Sequence, residues 1–312
     1  MSIAIENLTV RYGQREAVAG LTVVVPDGAV GLLGRNGSGK TSILKAMLGL
    51  VRPASGRVAF TGLAPGAGAA EVRAHVGYMP ERDAYLPQAT GFQMVAMLGM
   101  LNGMPQRDAW RRAHEVLYLV GLEEQRYRPV AGFSTGMRQK VKLAAALVHD
   151  PQVLFLDEPT NGLDPAGRAD MLGLVGRMAR DLQKSVLFST HILHDVESVC
   201  SAAIVLEQGR VVAQGSLASL TGGPVRQHSL VVDRPSVALE AALATVGTVT
   251  RETNGGYSIV LAPGRETRAV FAACSIAGAA VHALVPHRRS LEEVFLHAVN
   301  APSPSSGANV RP

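Results

Sequence analysis

An octapeptide at residues 34–41 carries the clearest chemistry in the sequence. It reads Gly-Arg-Asn-Gly-Ser-Gly-Lys-Thr, which is the G-x-x-x-x-G-K-T pattern of a phosphate-binding loop. Its glycines let the backbone wrap closely around phosphate oxygens, because glycine tolerates positive φ and has no Cβ. Lys40 can reach terminal phosphates, and the hydroxyl of Thr41 can bind Mg²⁺. The loop therefore predicts a site for a nucleotide with at least two phosphates, bound together with Mg²⁺.

The segments on both sides of this loop must position it. Residues 29–33 predict a short buried strand, and residues 42–48 predict an amphipathic helix that starts near Thr41. Free N–H groups and the helix dipole favour anions at such a helix start. A glycine-rich surface turn is the alternative, and the closing Lys-Thr pair argues against it.

An acidic pair, Asp157-Glu158, follows the apolar run at residues 153–156. A run of this kind suits a parallel strand buried on both faces, and open α/β sheets bind ligands at the carboxyl ends of such strands. We expect Asp157 to hold Mg²⁺, directly or through water, and Glu158 to orient or deprotonate the attacking water. A pair that only caps the next turn is the alternative.

A second phosphate-binding helix start is predicted at Ser134. Residues 133–140 precede a helix predicted over Val141–Val148, with Ser134 suited to the N-cap and Gly136 to close approach of an anion. One nucleotide cannot easily use both helix starts of one chain. We therefore expect Ser134–Gly136 to cover the γ-phosphate held by another copy.

These motifs together resemble the ATP-binding subunits of ABC transporters. Residues 134–139 are similar to the family's signature motif, in the S-x-G-M-[RK]-Q form of many ABC-2 type subunits, with Thr135 in place of a family glycine. The resemblance identifies residues 34–41 as the Walker A motif and 153–158 as the Walker B motif. It identifies residues 161–164 as the D-loop, which in the family crosses the dimer interface.

The resemblance also implies roles for three isolated side chains. Tyr12 matches the aromatic residue that stacks on adenine, and His191 matches the switch histidine that contacts the γ-phosphate. Glu81 stands where the family usually has Gln, and ABC-2 type subunits often carry Glu there. The implied site comprises catalytic Lys40, Glu158 and His191, nucleotide contacts Tyr12, Gly34, Arg35, Asn36, Gly37, Ser38, Gly39, Lys40, Thr41, Glu81, Ser134, Thr135 and Gly136, and metal ligands Thr41, Glu81 and Asp157.

His191 also has alternatives. His191, His194 and Asp195 are spaced i, i+3 and i+4, which places them near one helix face and could indicate a metal site or plain packing. Because His191 follows the apolar run at residues 186–188, which predicts a strand that ends at a phosphate site, contact with the γ-phosphate is favoured.

Composition limits the other classes of function. The chain has 312 residues, 47% of them hydrophobic, which fits one large domain and one small domain. Its two cysteines imply no disulfide framework. A net charge of +5 suits an anionic ligand or membrane surface. No Lys/Arg stripe with interleaved aromatics is present, so we expect no nucleic-acid partner. We expect neither a leader peptide, because residues 2–10 alternate like a strand, nor a spanning helix.

Two helices are predicted over residues 92–104 and 106–120. In the family, the corresponding helical subdomain docks the transmembrane partner. Residues Met94, Met97, Met100 and Met104 form a stripe at helical spacing, which usually indicates core but also suits an adaptable binding surface.

After residue 215 the sequence loses its phosphate motifs. A breaker cluster at 221–224 precedes the predicted order β-α-β-β-α-β, which is ferredoxin-like. Residues 290–296 resemble the S-L-E-[ED]-x-F motif that ends many ABC-2 type subunits. We predict an ATPase domain over residues 1–220, an accessory α+β domain over 225–300 and a flexible tail over 301–312.

The resemblance implies an α/β P-loop NTPase fold, with a RecA-like core and antiparallel β and helical subdomains. It implies an ATP- and Mg²⁺-dependent motor subunit of an ABC-2 type exporter. Two copies would form a head-to-tail homodimer coupled to transmembrane permease subunits, in the cytoplasm at the inner face of the cell membrane. A ribosome-associated ABC ATPase would normally carry two ATPase halves, whereas this sequence has one phosphate-binding loop. A DNA-repair type would carry long coiled coils between its motifs, and none interrupts this sequence. A scaffold without turnover is disfavoured by the intact acidic and basic site residues.

Overall fold

The computed structural model describes residues 1–82, 85–221, 227–252, 255–286 and 291–294. The chain divides into two units, Met1–Leu217 and Ala218–Val294. Among the described residues, no helix combines the length and apolar character needed to cross a membrane.

Two sheets form the first unit. A three-stranded antiparallel sheet contains β1 (Ile3–Tyr12), β2 (Arg15–Val25) and β4 (Ser55–Phe60), in the order β2-β1-β4. The second sheet contains β3 (Ala29–Gly34), β5 (Val76–Met79), β6 (Val153–Asp157), β7 (Ser185–Thr190), β8 (Ala202–Glu207) and β9 (Arg210–Ser216). Its order is β5-β6-β7-β3-β8-β9, with only β9 antiparallel to its neighbour.

The burial of the central strands explains their sequences. Every residue of β3, β6 and β7 is buried. A parallel strand covered on both faces needs an almost continuous apolar run, which is what these segments supply. The predicted strands at residues 29–33, 153–156 and 186–188 are confirmed.

The helices of the first unit begin with α1 (Lys40–Met47), α2 (Ala69–His75), α3 (Gly91–Leu101), α4 (Gln106–Leu119), α5 (Thr135–Leu147), α6 (Pro165–Arg180) and α7 (Leu193–Val199). A short helix α8 (Leu217–Thr221) crosses the boundary between the units in sequence. The prediction that the fifth helix begins at Val141 is wrong, because α5 begins at Thr135. Ser134 caps it as expected, since its Oγ accepts a hydrogen bond from the Met137 amide at 3.2 Å.

The methionine stripe on α3 is only partly core. Met94 is 3% exposed, whereas Met100 is 39% exposed. The core interpretation therefore holds for Met94 and is wrong for Met100.

The second unit has the predicted element order. It contains β10 (Gln227–Val232), α9 (Val237–Ala244), β11 (Gly247–Arg251), β12 (Tyr257–Leu261), α10 (Thr267–Ile276) and β13 (Val281–Pro286). The sheet order is β11-β12-β10-β13, and all neighbours are antiparallel, which is the ferredoxin-like arrangement. Its core includes the buried Leu230, Tyr257 and Ile259.

Some expectations concern residues outside the described ranges. The tail at 301–312 lies outside them, as do parts of the breaker at 221–224, of the turn at 254–256 and of the motif at 290–296. Within that motif, residues 291–294 are helical and Leu291 is buried.

Neither cysteine forms a disulfide. Cys274 is buried and Cys200 is half-buried. Burial raises the pKa of the Cys200 thiol to about 12, with the Asp195 carboxylate as a secondary cause.

Candidate functional site

The site forms where strands β3, β6 and β7 end at one edge of the parallel sheet. In the register of the sheet, Asp157 lies beside Ser189, and Leu33 lies beside Thr190. The phosphate-binding loop, the acidic pair and the segment that contains His191 follow these strands directly. Three segments that are far apart in sequence therefore meet at the carboxyl edge of the sheet, where ligands bind in open α/β sheets.

The phosphate-binding loop has the backbone geometry that its glycines predict. Gly37 and Gly39 have φ of 82° and 105°, in the region that L side chains rarely adopt. A Cβ on Gly39 would lie 2.6 Å from the carbonyl oxygen of Ala17. The Oγ of Ser38 is buried and has no hydrogen-bond partner among the described residues. A cradle closed to larger side chains and lined by an unsatisfied hydroxyl fits a polar ligand such as a polyphosphate.

Lys40, Glu158 and His191 form one connected group. Lys40 Nζ lies 3.0 Å from Glu158 Oε1 and donates to the carbonyl oxygen of Gly34 at 2.7 Å. The other carboxylate oxygen, Oε2, lies 2.9 Å from His191 Nδ1. Lys40 and Glu158 are 6% and 4% exposed, whereas the His191 side chain is 40% exposed. The carboxylate of Glu158 is thus held on both oxygens.

The backbone of Glu158 is also unusual. Its φ is 49°, a value that few residues other than glycine adopt. Its amide lies 3.1 Å from both the carbonyl oxygen and the Oγ of Ser189. Such conformations persist only where surrounding bonds hold them, and they concentrate at functional sites.

Asp157 is fixed by two hydroxyl donors. Thr41 Oγ1 donates to Oδ2 at 2.8 Å, and Ser189 Oγ donates to Oδ1 at 2.6 Å. Asp157 itself is 1% exposed. Burial raises the pKa of nearby Tyr78, and the Asp157 carboxylate raises it further. Paired Thr and Asp oxygens beside a phosphate loop are hard donors of the kind that Mg²⁺ prefers, so the residues present fit this ion.

A cavity of about 560 Å³ opens over the loop. Glu81 and the half-exposed Tyr12, which were predicted from isolated motifs, both line it. The complete lining is Tyr12, Arg15, Ala17, Asn36, Gly37, Gly39, Lys40, Thr41, Ser42, Glu81 and Glu158. A cavity lined by both an aromatic ring and the glycine loop suits the base and the phosphates of a nucleotide.

A second cavity of about 390 Å³ also borders the loop. Its lining includes Gly34, Arg35, Asn36 and His191. Asn36 is shared between the two cavities. The loop therefore borders both cavities, whereas His191 lines the second one.

Ser134, Thr135 and Gly136 line neither of these cavities. A Cβ on Gly136 would lie 3.8 Å from the Leu163 side chain, and Gln139 Nε2 donates to the Asn161 carbonyl oxygen at 3.3 Å. The structure thus brings the signature segment to the predicted D-loop and not to the phosphate loop of the same chain.

A metal site formed by His191, His194 and Asp195 conflicts with the existing bonds of Asp195. Asp195 is fully buried, and its Oδ1 lies 2.6 Å from both Nε and Nη2 of Arg168. Its Oδ2 accepts a hydrogen bond from Thr160 Oγ1 at 2.8 Å. Both carboxylate oxygens are therefore already bonded, and they tie α7 to α6 and to the start of the predicted D-loop.

Sequence reasoning missed two residues of the site. Ser189 lies between the apolar run at residues 186–188 and His191, and nothing in the sequence marks it as a partner of Asp157. Arg15 lines the main cavity, and its guanidinium has no hydrogen bond or ion pair to any described residue. Its signal was its place three residues after Tyr12, directly across the β1–β2 hairpin from that residue.

One relative matches nearly the whole chain. The daunorubicin resistance ATP-binding protein DrrA3 of Streptomyces coeruleorubidus is 32% identical over 301 residues, which are 95% of this chain and 95% of that protein. The chain belongs to the ABC transporter family. The family model described as ABC transporter matches residues 21–161 of this ABC subunit. That span contains the phosphate loop, the signature segment and the acidic pair.

Other relatives of the ABC subunit match its first unit. The ABC transporter ATP-binding protein YxlF of Bacillus subtilis is 37% identical over 221 residues, covering 70% of this chain and 72% of that protein. The bacitracin transport ATP-binding protein BcrA of Enterococcus faecalis is 32% identical over 219 residues, covering 70% of each. The predicted family is confirmed.

Solved structures match the fold of the ABC subunit. CbiO1 of Clostridium perfringens, part of the ABC transporter complex CbiONQ, has a TM-score of 0.63 and 29% identity, covering 70% of this chain and 89% of that chain. An ATP-binding subunit of an ABC transporter has a TM-score of 0.62, with 29% identity, over 70% of this chain and 92% of that one. The predicted P-loop ATPase fold is confirmed.

Proposed function

We propose that this chain is the ATP-hydrolysing subunit of an ABC-2 type exporter. The observation that carries the proposal is the position of Glu158, whose oxygens lie against Lys40 Nζ and His191 Nδ1 beside the phosphate loop. A carboxylate held this way is suited to accept a proton from an attacking water molecule. Relatives named for daunorubicin resistance and for bacitracin transport support export as the task.

The remaining residues of the site would bind different parts of the nucleotide and its Mg²⁺ ion. Tyr12 would stack on the adenine, and residues 34–41 would hold the phosphates, with Lys40 at the terminal ones. Thr41 and Asp157 would hold Mg²⁺, and Glu81 would reach it directly or through water. When bound, this ion neutralises charge on the phosphate oxygens. His191 would orient Glu158 and contact the γ-phosphate.

The signature segment is the reason to propose a dimer. Ser134–Gly136 open a capped helix but line neither cavity of their own chain. In a head-to-tail pair, this helix start would cover the γ-phosphate bound by the other copy. ATP would then join the two copies, and loss of the γ-phosphate would release them. A shift from 1:99 to 99:1 in favour of the closed pair needs ~5.5 kcal/mol of differential binding.

The chain would act as part of a membrane-bound complex. Permease subunits would supply the membrane-spanning path and would contact α3, α4 and the Glu81 loop. The chain would be cytoplasmic and peripheral at the inner face of the membrane. Residues 1–220 would form the ATPase domain, and 225–300 an accessory domain. No nucleic-acid partner is proposed.

ATP turnover and ATP-dependent dimerisation of the purified chain test this function. We expect Glu158→Gln to abolish turnover and to form a dimer that is stable only with ATP. Glu71→Gln, which removes an exposed carboxylate on α2, is the matched control and should behave as wild type. Normal hydrolysis by Glu158→Gln would show that the base is misassigned. A monomer under all conditions, even with permease present, would refute the use of Ser134–Gly136 in trans.

A further inference from the structure

Lys142 is a cationic residue buried inside the first unit. It lies on α5 and is 3% exposed. Its Nζ donates to the carbonyl oxygen of Pro80 at 2.9 Å and to that of Glu81 at 3.0 Å. A buried ammonium is costly unless it is hydrogen-bonded, so these bonds fix the backbone of the Glu81 loop to α5.

A second contact holds the same two elements together. A Cβ on Gly77 of β5 would overlap the carbonyl oxygen of Ala146 on α5. Backbone therefore meets backbone, with no side chain between them. Lys142 and Ala146 are four residues apart on the helix, so both contacts lie on one face of α5. The segment from Gly77 to Glu81 cannot slide along α5 without breaking both.

These contacts connect two parts of the ATPase machinery. The N-terminus of α5 is formed by Ser134–Gly136, which line neither cavity of their own chain, whereas Glu81 lines the main cavity. We propose that Lys142 is a positioning residue that makes Glu81 move with α5. A nucleotide bound by one copy would contact Ser134–Gly136 of the second copy. This contact would move α5 and Glu81 of the second copy, and so would change the nucleotide pocket of that second copy. This inference rests on the proposed dimer.

The main prediction concerns cooperativity. Lys142→Met keeps the approximate length of the side chain but removes the ammonium. The carbonyl oxygens of Pro80 and Glu81 then lose this hydrogen-bond donor. We expect the Hill coefficient for ATP hydrolysis to fall from above one toward one, and turnover to fall about fivefold or more, in line with usual coupling between sites. Affinity of the monomer for nucleotide should change less than about twofold, because the phosphate loop is untouched.

The control lies on the same helix. Lys140 pairs with Asp170 at 2.6 Å on the other side of α5, so Lys140→Met removes a lysine without touching the Glu81 loop. It should leave cooperativity at the wild-type value. Lys142→Arg is the second variant if Lys142→Met does not fold. It keeps the charge but cannot reproduce the geometry of a compact ammonium, so it should lose cooperativity at an unchanged thermal midpoint.

A double-mutant cycle separates positioning from general stabilisation. If Lys142 acts through Glu81, the variant Glu81→Ala/Lys142→Met should be no slower than Glu81→Ala alone. Losses that multiply, or a Lys142→Met variant as cooperative as Lys140→Met, would overturn the inference while leaving the proposed function intact. A wild-type chain with no turnover or no ATP-dependent dimer would instead contradict the proposed function.

Discussion

The ammonium of Lys40 and the carboxylate of Glu158 form an ion pair, with 3.0 Å between Nζ and Oε1, inside the proposed nucleotide cavity. Lys40 is also the residue proposed to bind the terminal phosphates. Binding of ATP must therefore exchange one anion for another at Nζ. The pair competes with the nucleotide until that exchange takes place.

Glu158→Gln should consequently bind ATP more tightly than wild type, besides losing turnover. Removal of the competing charge, and of its repulsion toward the γ-phosphate, should lower the Kd by roughly tenfold, which corresponds to about 1.4 kcal/mol. A titration with a fluorescent, non-hydrolysable ATP analogue measures this. Glu71→Gln is again the control, and an unchanged or raised Kd for Glu158→Gln would contradict the competition.

Ser189→Ala should weaken both the fold and the use of Mg²⁺. The change removes the donor to Asp157 Oδ1 and one of the acceptors for the Glu158 amide. A buried group left without its partner costs about 1–3 kcal/mol. We expect a lower thermal midpoint and a higher Mg²⁺ concentration for half-maximal ATPase activity.

Ser185→Ala is the control for that experiment. Ser185 lies at the other end of β7 and its Oγ is hydrogen-bonded to the N-terminal ammonium and to Asp27. Its replacement should lower stability without changing the Mg²⁺ requirement. An equal shift in Mg²⁺ requirement for both variants would mean that Ser189 acts only through stability.

Arg15→Ala should weaken nucleotide binding without destabilising the protein. The guanidinium lines the cavity and has no partner among the described residues, so no native bond is lost. We expect the Kd for ATP to rise about two- to fivefold, by ~0.4–1 kcal/mol, with a weaker dependence on salt. Arg11→Ala removes an arginine already paired with Glu16 and should leave the Kd unchanged. Equal Kd values for the two variants would exclude Arg15 from the site.

The sequence predicted the parts of the site that are contiguous in the chain. The phosphate loop, the acidic pair and His191 each carry their own local pattern, and the structure places all of them at one sheet edge. Ser189 and Lys142 could not be found in this way. Their partners are 32 and 62 residues distant, and hydroxyl or ammonium groups on regular elements have no local signature. The pairing of β6 with β7 reveals the first, and the packing of α5 against the Glu81 loop reveals the second.

The fold was predicted best where periodicity was strong. The buried strands needed only continuous apolar runs, and the β-α-β-β-α-β order of the second unit needed only periodicity and breakers. The start of α5 was misplaced by six residues, because Thr135 and Gly136 are weak helix formers in isolation. The Ser134 cap and contacts with the predicted D-loop, such as that of Gln139, stabilise this first turn.

His149 should make the protein less stable in mild acid. Burial is the largest influence on its pKa and lowers it. The unfolded chain then binds a proton more readily than the folded one, so stability is present above about pH 6.5 and is lost as the pH falls below that value. Between about pH 7.5 and 5.5, the thermal midpoint of His149→Gln should fall less than that of wild type. Exposed His194→Gln is the control, and parallel pH profiles for His149→Gln and wild type would refute the role.

The chain is ready for site-specific labelling, because Cys274 is buried and the half-buried Cys200 has a thiol of raised pKa. Only a thiolate reacts quickly with a maleimide, and neither Cys200 nor Cys274 offers an accessible one. A single cysteine placed at an exposed turn, as in Asp181→Cys, would take a spin label selectively. Distances between two labelled copies could then be followed through an ATP cycle in an otherwise native chain.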